Sequence, residues 1–477
     1  MPKIIKFEHF LYLPNFFYRS VGIDLWGKKG GFLLQLMFYL CVINTAVIFI
    51  SEMIFVVISF TRDFVESTMT LSYVGFVIVG LIKIYYMWKK QKELSTFLAS
   101  MKQIFPHTAE EQNQMNLRRH LSQSRFVMSV FTTNFMILIW TYNLYPWMER
   151  QIYDCWLHVR TVERAIPYQS YIPWDWSDHW SYYLLYLSDI IAGYHTAAGQ
   201  IASDLVICAM GTQIIMHYEH VARKISEYEP KVSLYRRQRD KSRKNALQRR
   251  GVDLESGAYR EDMKFLAEII AYHSKILSLS EIMNEVFGVA LLVNFMASSF
   301  VLCFVGFQMT MDTDMVFKIK LSLFLFSSLV QIYLISHYGQ LLIDASVNVA
   351  QAVFSHDWPD AHVHYQRMLV LVMARAQQPA MLKATSFVLI SRGTMTDLFE
   401  IWVMHDNSLS GTKNSWGFKL DVPLSVLKVE AEKWKHLVAS IPSIASSWNI
   451  HARKVIDVCT WGKYTKFPTK IGNRPLV

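Results

Sequence analysis

The sequence predicts an all-α integral membrane protein, because three of its properties are those of a helical bundle in a bilayer. Its mean hydropathy is +0.19, and 52% of its 477 residues are hydrophobic. Six apolar runs each have the roughly 20 residues that a helix needs to cross a bilayer. Lysine and arginine are concentrated in every second segment between these runs. The runs are 32–60, 67–88, 126–145, 182–217, 276–310 and 316–343.

The distribution of basic residues predicts which side of the membrane each segment faces. Five lysines and arginines precede the first run, seven lie between the second and third, and fourteen lie between the fourth and fifth. The alternate segments carry only Arg62, then three arginines outnumbered by acidic residues, then none. Because basic segments are retained preferentially in the cytoplasm, we predict a cytoplasmic N-terminus.

The runs also divide the chain into parts. An N-terminal cytoplasmic region, 1–31, is expected along the inner membrane interface, and 32–343 are expected to form a bundle of six transmembrane helices. All six spans should be helical because the bilayer core offers the backbone no other hydrogen-bond partners. Between spans four and five, 218–275 is predicted as a basic cytoplasmic loop region. Its ends extend the two helices, and its middle, 231–250, should be flexible.

The C-terminal part departs from this pattern. Residues 344–398 are predicted to form a cytoplasmic region and the start of a seventh helix, but the apolar core at 384–390 is too short to span a bilayer alone. The polar tail, 399–477, has eleven basic and six acidic residues, which favours the cytoplasmic side. We therefore expect six clear transmembrane helices and a defective or truncated seventh.

Composition and motifs argue against an enzyme and against a nucleic-acid-binding protein. The net charge of +10 falls mainly in segments that should face the anionic inner leaflet, so membrane topology accounts for it. The chain has no phosphate-binding glycine loop, nucleophile elbow or zinc-protease motif, and its five cysteines are scattered. His356, His362 and His364 have only a weak metal-binding spacing. We predict no catalytic residues, no cofactor and no metal.

Six ionisable residues lie within the apolar runs, where a charge is costly and therefore informative. The lysine and two of the glutamates lie toward the cytoplasmic ends, so a structural role is expected for them. Asp189 and Asp204 lie deeper, and a functional and a structural role are equally consistent with their positions. A small-solute transporter that uses these two is the alternative functional class. The six are Glu52, Lys83, Asp189, Asp204, Glu281 and Glu285.

Large apolar and aromatic residues recur in the outer halves of runs two, three, four and six. Together they can enclose a small apolar molecule, with hydroxyl groups adding limited hydrogen-bond selection, although helix packing also explains each of them. The aromatic residues of the outer segment, 146–181, are explained by an interfacial belt or by a ligand vestibule. The predicted ligand-binding residues are Tyr73, Phe76, Met136, Trp140, Tyr186, Ile190 and Phe324.

Several phrases of the sequence resemble the insect odorant receptor family. FYRSVGIDLW occupies 17–26 near the N-terminus, FVLCFVGF occupies 300–307, and YGQLL occupies 338–342. The most specific phrase is RAQQPA at 375–380, which leads to Lys383 and Ala384. In order and spacing, the resemblance covers about residues 7–398.

The resemblance implies an odour-tuning subunit rather than the shared co-receptor. Members of this family have a cytoplasmic N-terminus and seven spans. They assemble with the olfactory co-receptor, as tetramers, into odour-gated nonselective cation channels in the plasma membrane of olfactory neurons. A small volatile organic ligand binds among their segments two, three, four and six, and cytoplasmic helix ends, here 346–375, form an anchor between subunits. Odour reception is therefore the leading functional interpretation.

After residue 398 the sequence departs from the family, whose final apolar helix lines the pore. From Phe399 onward the chain becomes polar, which we interpret as an alternative transcript, a retained intron or a gene-model error. If the tail is native, the resemblance implies six spans and a subunit that contributes nothing to ion conduction.

Overall fold

The computed structural model describes residues 4–26, 31–62, 64–158, 161–241, 248–309, 315–385, 388–397 and 400. Within these residues, six helices are long and apolar enough to cross a membrane. They coincide with the six apolar runs, so the predicted all-α membrane class is confirmed. Apart from Glu400, the tail predicted at 399–477 lies outside the described residues.

The regular elements follow one another along the chain with short connections, except for the long outer segment between α6 and α7. We call the end of the bundle that carries this segment the outer end, following the prediction from charge. In chain order the elements are α1 Tyr12–Val21, α2 Phe32–Ser59, α3 Phe64–Lys89, α4 Gln91–Ile104, α5 Ala109–Gln114, α6 Leu117–Arg150, α7 Ser181–Glu227, α8 Lys231–Lys241, α9 Gln248–Met309, α10 Met315–Ser355, α11 Val363–Ala376, β1 Leu382–Ala384 and β2 Val388–Ile390.

Helix α7 is the centre of the bundle. It packs against α1, α2, α3, α6, α9 and α10, and its membrane-spanning part is completely buried. Its many small residues let neighbouring backbones approach closely. A Cβ added at Gly80 of α3 would collide with Thr196, and one added at Gly199 would collide with Ile84. The crossing of α3 and α7 therefore depends on small side chains on both helices.

The basic stretch predicted as a flexible loop is helical where it is described. Helix α8 covers Lys231–Lys241, and α9 begins at Gln248; residues 242–247 lie outside the described part of the chain. Arg237 of α8 forms ion pairs with Asp357 at 2.8 Å and Asp360 at 3.3 Å. Of the charged residues in this stretch, Lys231, Arg236 and Arg237 thus lie on a helix.

Sequence analysis did not predict the two strands that follow α11. They pair antiparallel, with Lys383 opposite Leu389, and include most of the apolar core at 384–390. Each strand has only three residues, which is too few for a detectable alternation. Residues 392–397 are helical again.

The N-terminal region is tied to the bundle rather than left as a free tail. Buried Phe17 and Val21 lie on α1, which packs against α7. The Tyr18 hydroxyl lies 3.1 Å from Oγ of Ser203. Upstream of α1, the side chain of Gln112 accepts a hydrogen bond from the Ile5 backbone N–H at 3.0 Å and donates one to the Ile5 carbonyl at 2.8 Å.

Replacing Gln112 with alanine should loosen the N-terminal region. Gln112 is buried and satisfies both backbone groups of Ile5, so its loss should cost about 1–3 kcal/mol of local stability. We expect faster amide hydrogen exchange over residues 5–11, measured by mass spectrometry. Gln114→Ala, at an exposed position of the same short helix, is the matched control. Unchanged exchange in Gln112→Ala would contradict this tether.

Candidate functional site: an aromatic cavity near the outer end

A cavity lies between α2, α3, α6, α7 and α10 near the outer end of the bundle. About 510 Å³ of space lies among its lining atoms, part of it open to solvent. Most of its wall is apolar or aromatic. The lining residues are Thr45, Ile48, Glu52, Tyr73, Phe76, Val77, Leu138, Ile139, Tyr142, Tyr168, Ala192, Gly193, Thr196 and Phe324.

The aromatic side chains of the wall pack edge to face. The ring centroid of Tyr73 lies 5.5 Å from that of Tyr142 and 5.9 Å from that of Tyr168. The ring of Phe324 lies 6.0 Å from Phe76 and 6.4 Å from Tyr142. Such contacts are favourable beyond the burial of area alone. Four rings on α3, α6 and α10, together with the ring of Tyr168 from the outer segment, therefore pack around the cavity.

The outer segment closes this end of the cavity through residues 168–171, which we call the outer cap. The backbone of Tyr171 exchanges hydrogen bonds with Ser51: its N–H donates to the Ser51 carbonyl at 3.2 Å, and its carbonyl accepts from Oγ of Ser51 at 2.5 Å. The amide of Gln169 donates to Glu66 at 2.7 Å. The outer cap is therefore hydrogen-bonded to the outer ends of α2 and α3.

Tyr168 is the residue of the outer cap that lines the cavity. Its hydroxyl donates a hydrogen bond to Oδ1 of Asn143 at 2.9 Å, and only 9% of the residue is exposed. Burial raises the pKa of the Tyr168 phenol well above its usual range, and the nearby carboxyl groups of Asp189 and Glu52 raise it further. The phenol is therefore a neutral hydrogen-bond donor at any physiological pH.

The structure separates the seven predicted ligand-binding residues into two groups. Tyr73, Phe76 and Phe324 line the cavity. Met136, Trp140, Tyr186 and Ile190 are absent from its lining. On α6 the cavity faces Leu138, Ile139 and Tyr142, one turn of one helix face, whereas Trp140 points to the surface and is 42% exposed.

The two ligand-binding residues predicted on α7, Tyr186 and Ile190, do not line the cavity. The wall uses Ala192, Gly193 and Thr196, while Ile190 is half-buried elsewhere. The hydroxyl of Tyr186 donates to the Asn143 carbonyl at 2.6 Å, so this side chain supports α6 rather than the cavity.

Sequence analysis did not select Tyr142, Tyr168 or Glu52 as ligand-binding residues, although signals for them were present. Tyr142 is two positions from Trp140 in the same run, and Glu52 is one of the six ionisable residues in the spans. Tyr168 belongs to the aromatic outer segment, where the vestibule interpretation would have included it.

A buried polar network lies beside the cavity toward the middle of the bundle. Nζ of Lys83 lies 2.9 Å and 3.0 Å from the two carboxylate oxygens of Asp204, and both side chains are fully buried. Asn294 and Gln331 donate further hydrogen bonds to Asp204 at 2.9 Å and 2.6 Å. We call these four residues the Asp204 network. It joins α3, α7, α9 and α10, which supports the structural interpretation of Asp204.

The Asp204 network and the aromatic cavity are neighbours. A second cavity is lined by Asn294 and Gln331 of the network and also by three residues of the aromatic cavity, Phe76, Leu138 and Phe324. These three side chains therefore lie between the two cavities.

Two of the three histidines with a weak metal-binding spacing have side-chain hydrogen-bond partners in the protein. Nε2 of His356 lies 3.0 Å from the Tyr365 hydroxyl, and the side chain of His362 caps α11 by accepting from the His364 N–H. Burial lowers the pKa of His356, so its ring is neutral. Among the described residues, no group of three or more histidine, cysteine or acidic residues is placed to hold a metal ion.

Comparison with known proteins identifies the family. The family model described as 7tm Odorant receptor matches residues 63–403. The chain belongs to the insect odorant receptor family. Odorant receptor 85b of Drosophila melanogaster is 38% identical over 407 residues, which are 84% of this chain and 96% of that protein. Odorant receptor 85c of the same species is 38% identical over 82% of this chain and 96% of that protein.

The fold is also that of a solved odorant receptor. The olfactory receptor OR5 of Machilis hrabei matches with a TM-score of 0.65 at 12% identity, over 84% of this chain and 97% of that one. Its complex with eugenol matches with the same TM-score at 11% identity, over 83% and 95%. The protein is thus a multi-pass odorant receptor of the odour-tuning type, and not an enzyme.

Proposed function

We propose that this receptor is the odour-binding subunit of a ligand-gated, nonselective cation channel that it forms with the olfactory co-receptor. The channel is a hetero-oligomer, a tetramer, in the plasma membrane of olfactory neurons, with the N-terminus in the cytoplasm. Family membership and the charge alternation support this assignment. Ligand binding shifts the closed–open equilibrium through its different affinity for the two states.

The observation that carries the assignment of the site is the aromatic cavity. Its wall is made largely by rings that can pack on an apolar body. Machilis hrabei OR5 is known in complex with eugenol, so a receptor of this fold accepts a small organic ligand. We assign odorant binding to Tyr73, Phe76, Tyr142, Tyr168 and Phe324.

The test is electrophysiological recording from cells that express the full chain with the co-receptor. An odour panel should evoke cation currents. Phe324→Ala and Tyr73→Ala should each raise the half-maximal odorant concentration about ten- to hundredfold, because each removes a buried aromatic contact of roughly 1.5–3 kcal/mol. Trp140→Ala, which removes an exposed aromatic side chain outside the cavity, is the matched control.

Three outcomes would contradict parts of the proposal. A shift in Trp140→Ala without one in Phe324→Ala would move the site to the surface of α6. Solute uptake in the absence of the co-receptor would favour the transporter class. Absence of any current from correctly trafficked complexes would favour the non-conducting variant that the tail from residue 399 suggests.

A further inference from the structure

Glu52 is the one acidic residue among the described residues that line the aromatic cavity. It lies on α2 and is only 1% exposed, yet its Oε2 has no hydrogen-bond partner within the described part of the chain. A buried oxygen of this kind normally has a partner, because leaving it unsatisfied costs stability. Since Glu52 lines the cavity, a bound molecule can supply that partner.

The other oxygen-bearing side chains of the wall are mostly occupied within the protein. The hydroxyl of Thr45 donates to the Cys41 carbonyl at 2.9 Å. The hydroxyl of Tyr142 donates to the Lys320 carbonyl at 3.0 Å, and that of Tyr168 donates to Asn143. Thr196, fully buried on α7, is different: its Oγ1 has no partner among the described residues either.

We propose that Glu52 and Thr196 make the cavity selective for ligands that carry a hydroxyl group on an apolar body, such as alcohols and phenols. This inference rests on the proposed function, because it assigns a ligand class to the same cavity. A hydroxyl group has one donor and can accept. It donates to the free oxygen of Glu52 and accepts from the free hydroxyl of Thr196.

Other head groups match these two side chains less well. A carboxyl group keeps at least one accepting oxygen whether or not it is protonated, and an ether, ketone or ester has no donor to pair with it. An ammonium group brings three donors, and it pays a large desolvation penalty on entering an apolar cavity. Of these head groups, the hydroxyl matches the hydrogen-bonding groups of Glu52 and Thr196 best.

The test compares two isomers, 1-hexanol and methyl pentyl ether, which have the same atoms and differ in the hydroxyl donor. In cells that express the receptor with the co-receptor, the alcohol should act at about tenfold lower concentration, the effect of one hydrogen bond. In Glu52→Leu that ratio should fall to about one through loss of alcohol potency, while the ether response persists. Glu52→Gln, which keeps an accepting oxygen, should retain the preference.

Control variants separate hydrogen bonding from a loss of folding. The ether response shows that Glu52→Leu is folded. If this variant does not reach the surface, Thr196→Val provides the second test: it should lower the potency of both isomers, because both can accept from the Thr196 hydroxyl, and leave the tenfold preference for the alcohol in place. Ser59→Ala is the matched control, because Ser59 is a buried polar residue of the same helix as Glu52 and does not line the cavity; its ratio should equal that of the wild type.

Equal potency of the two isomers on the wild type would overturn the inference, as would an unchanged ratio in Glu52→Leu. A greater potency of hexylamine that disappears in Glu52→Leu would replace the hydroxyl class with an ammonium class. If no odorant evokes a current, the proposed channel function fails, and the isomers are then compared by the rise in Tm that each causes in the purified receptor complex. Equal rises would overturn the inference independently.

Discussion

Replacing Lys83 with methionine should destabilise the receptor severely. Asp204 would remain at a fully buried position without the only cation near it among the described ion pairs. Removing one partner of a buried ion pair costs about 3–5 kcal/mol. We expect a large drop in the free energy of unfolding and in surface expression. Thermal unfolding of detergent-solubilised receptor measures the first quantity, and surface labelling measures the second.

Two variants make this prediction specific. In Lys83→Met/Asp204→Asn both charges are absent, so most of the lost stability should return even though the hydrogen-bond network is imperfect. Lys89→Met removes an exposed lysine from the end of the same helix, and its effect should stay within about 0.5 kcal/mol. A double variant no more stable than Lys83→Met alone would show that charge burial is not the cause.

Gly339→Ala should also destabilise the receptor, although less than the loss of Lys83. Gly339 of α10 faces β2, and a Cβ at this position would collide with the backbone carbonyl of Ile390. A backbone atom cannot swing away as a side-chain tip can, so overpacking should cost about 1–3 kcal/mol and push the strand pair outward. We expect a lower Tm and faster hydrogen exchange over residues 382–390.

The strand pair has little freedom to absorb this collision. The side-chain amide of Asn284 donates to the Met381 carbonyl at 2.8 Å, and its oxygen accepts from the Lys383 N–H at 2.9 Å. The Ala380 N–H donates to Oγ of Ser346 at 3.0 Å. Gly257→Ala is the matched control, since nothing lies within 4 Å of its added Cβ and alanine favours a helix by roughly 1 kcal/mol. A Gly339→Ala variant as stable as the wild type would contradict the predicted collision.

The spans were predictable because bilayer thickness alone sets their length, and a local window of sequence contains that information. The rotation of each span about its own axis was not predictable from the sequence. Helix α6 has apolar residues on several faces, so nothing local distinguishes Met136 and Trp140 from Leu138 and Tyr142. Which residues of α6 face the cavity depends on the neighbouring helices, and these are distant in sequence.

The same limit explains the Asp204 network and the outer cap. The partners of Asp204 are separated from it by 121, 90 and 127 residues. The sequence therefore indicated that an aspartate in a span is unusual, but it did not indicate which residues form hydrogen bonds with it. Tyr168 enters the cavity only because Ser51 and Glu66 hold the outer cap. Three-residue strands at 382–390 leave too short a pattern to be distinguished from a broken span.

Helix α7 extends from the aromatic cavity to the opposite end of the bundle. Its 47 residues extend about 70 Å at 1.5 Å per residue, and no proline interrupts them. Gly193 and Thr196 form part of the cavity wall, while His217 and Tyr218, about six turns further, contact α9. A single continuous helix thus contacts both the cavity and the inner part of α9. If the odorant binds in this cavity as proposed and binding biases the inner end, reciprocity requires that a change at the inner end alter odorant affinity equally.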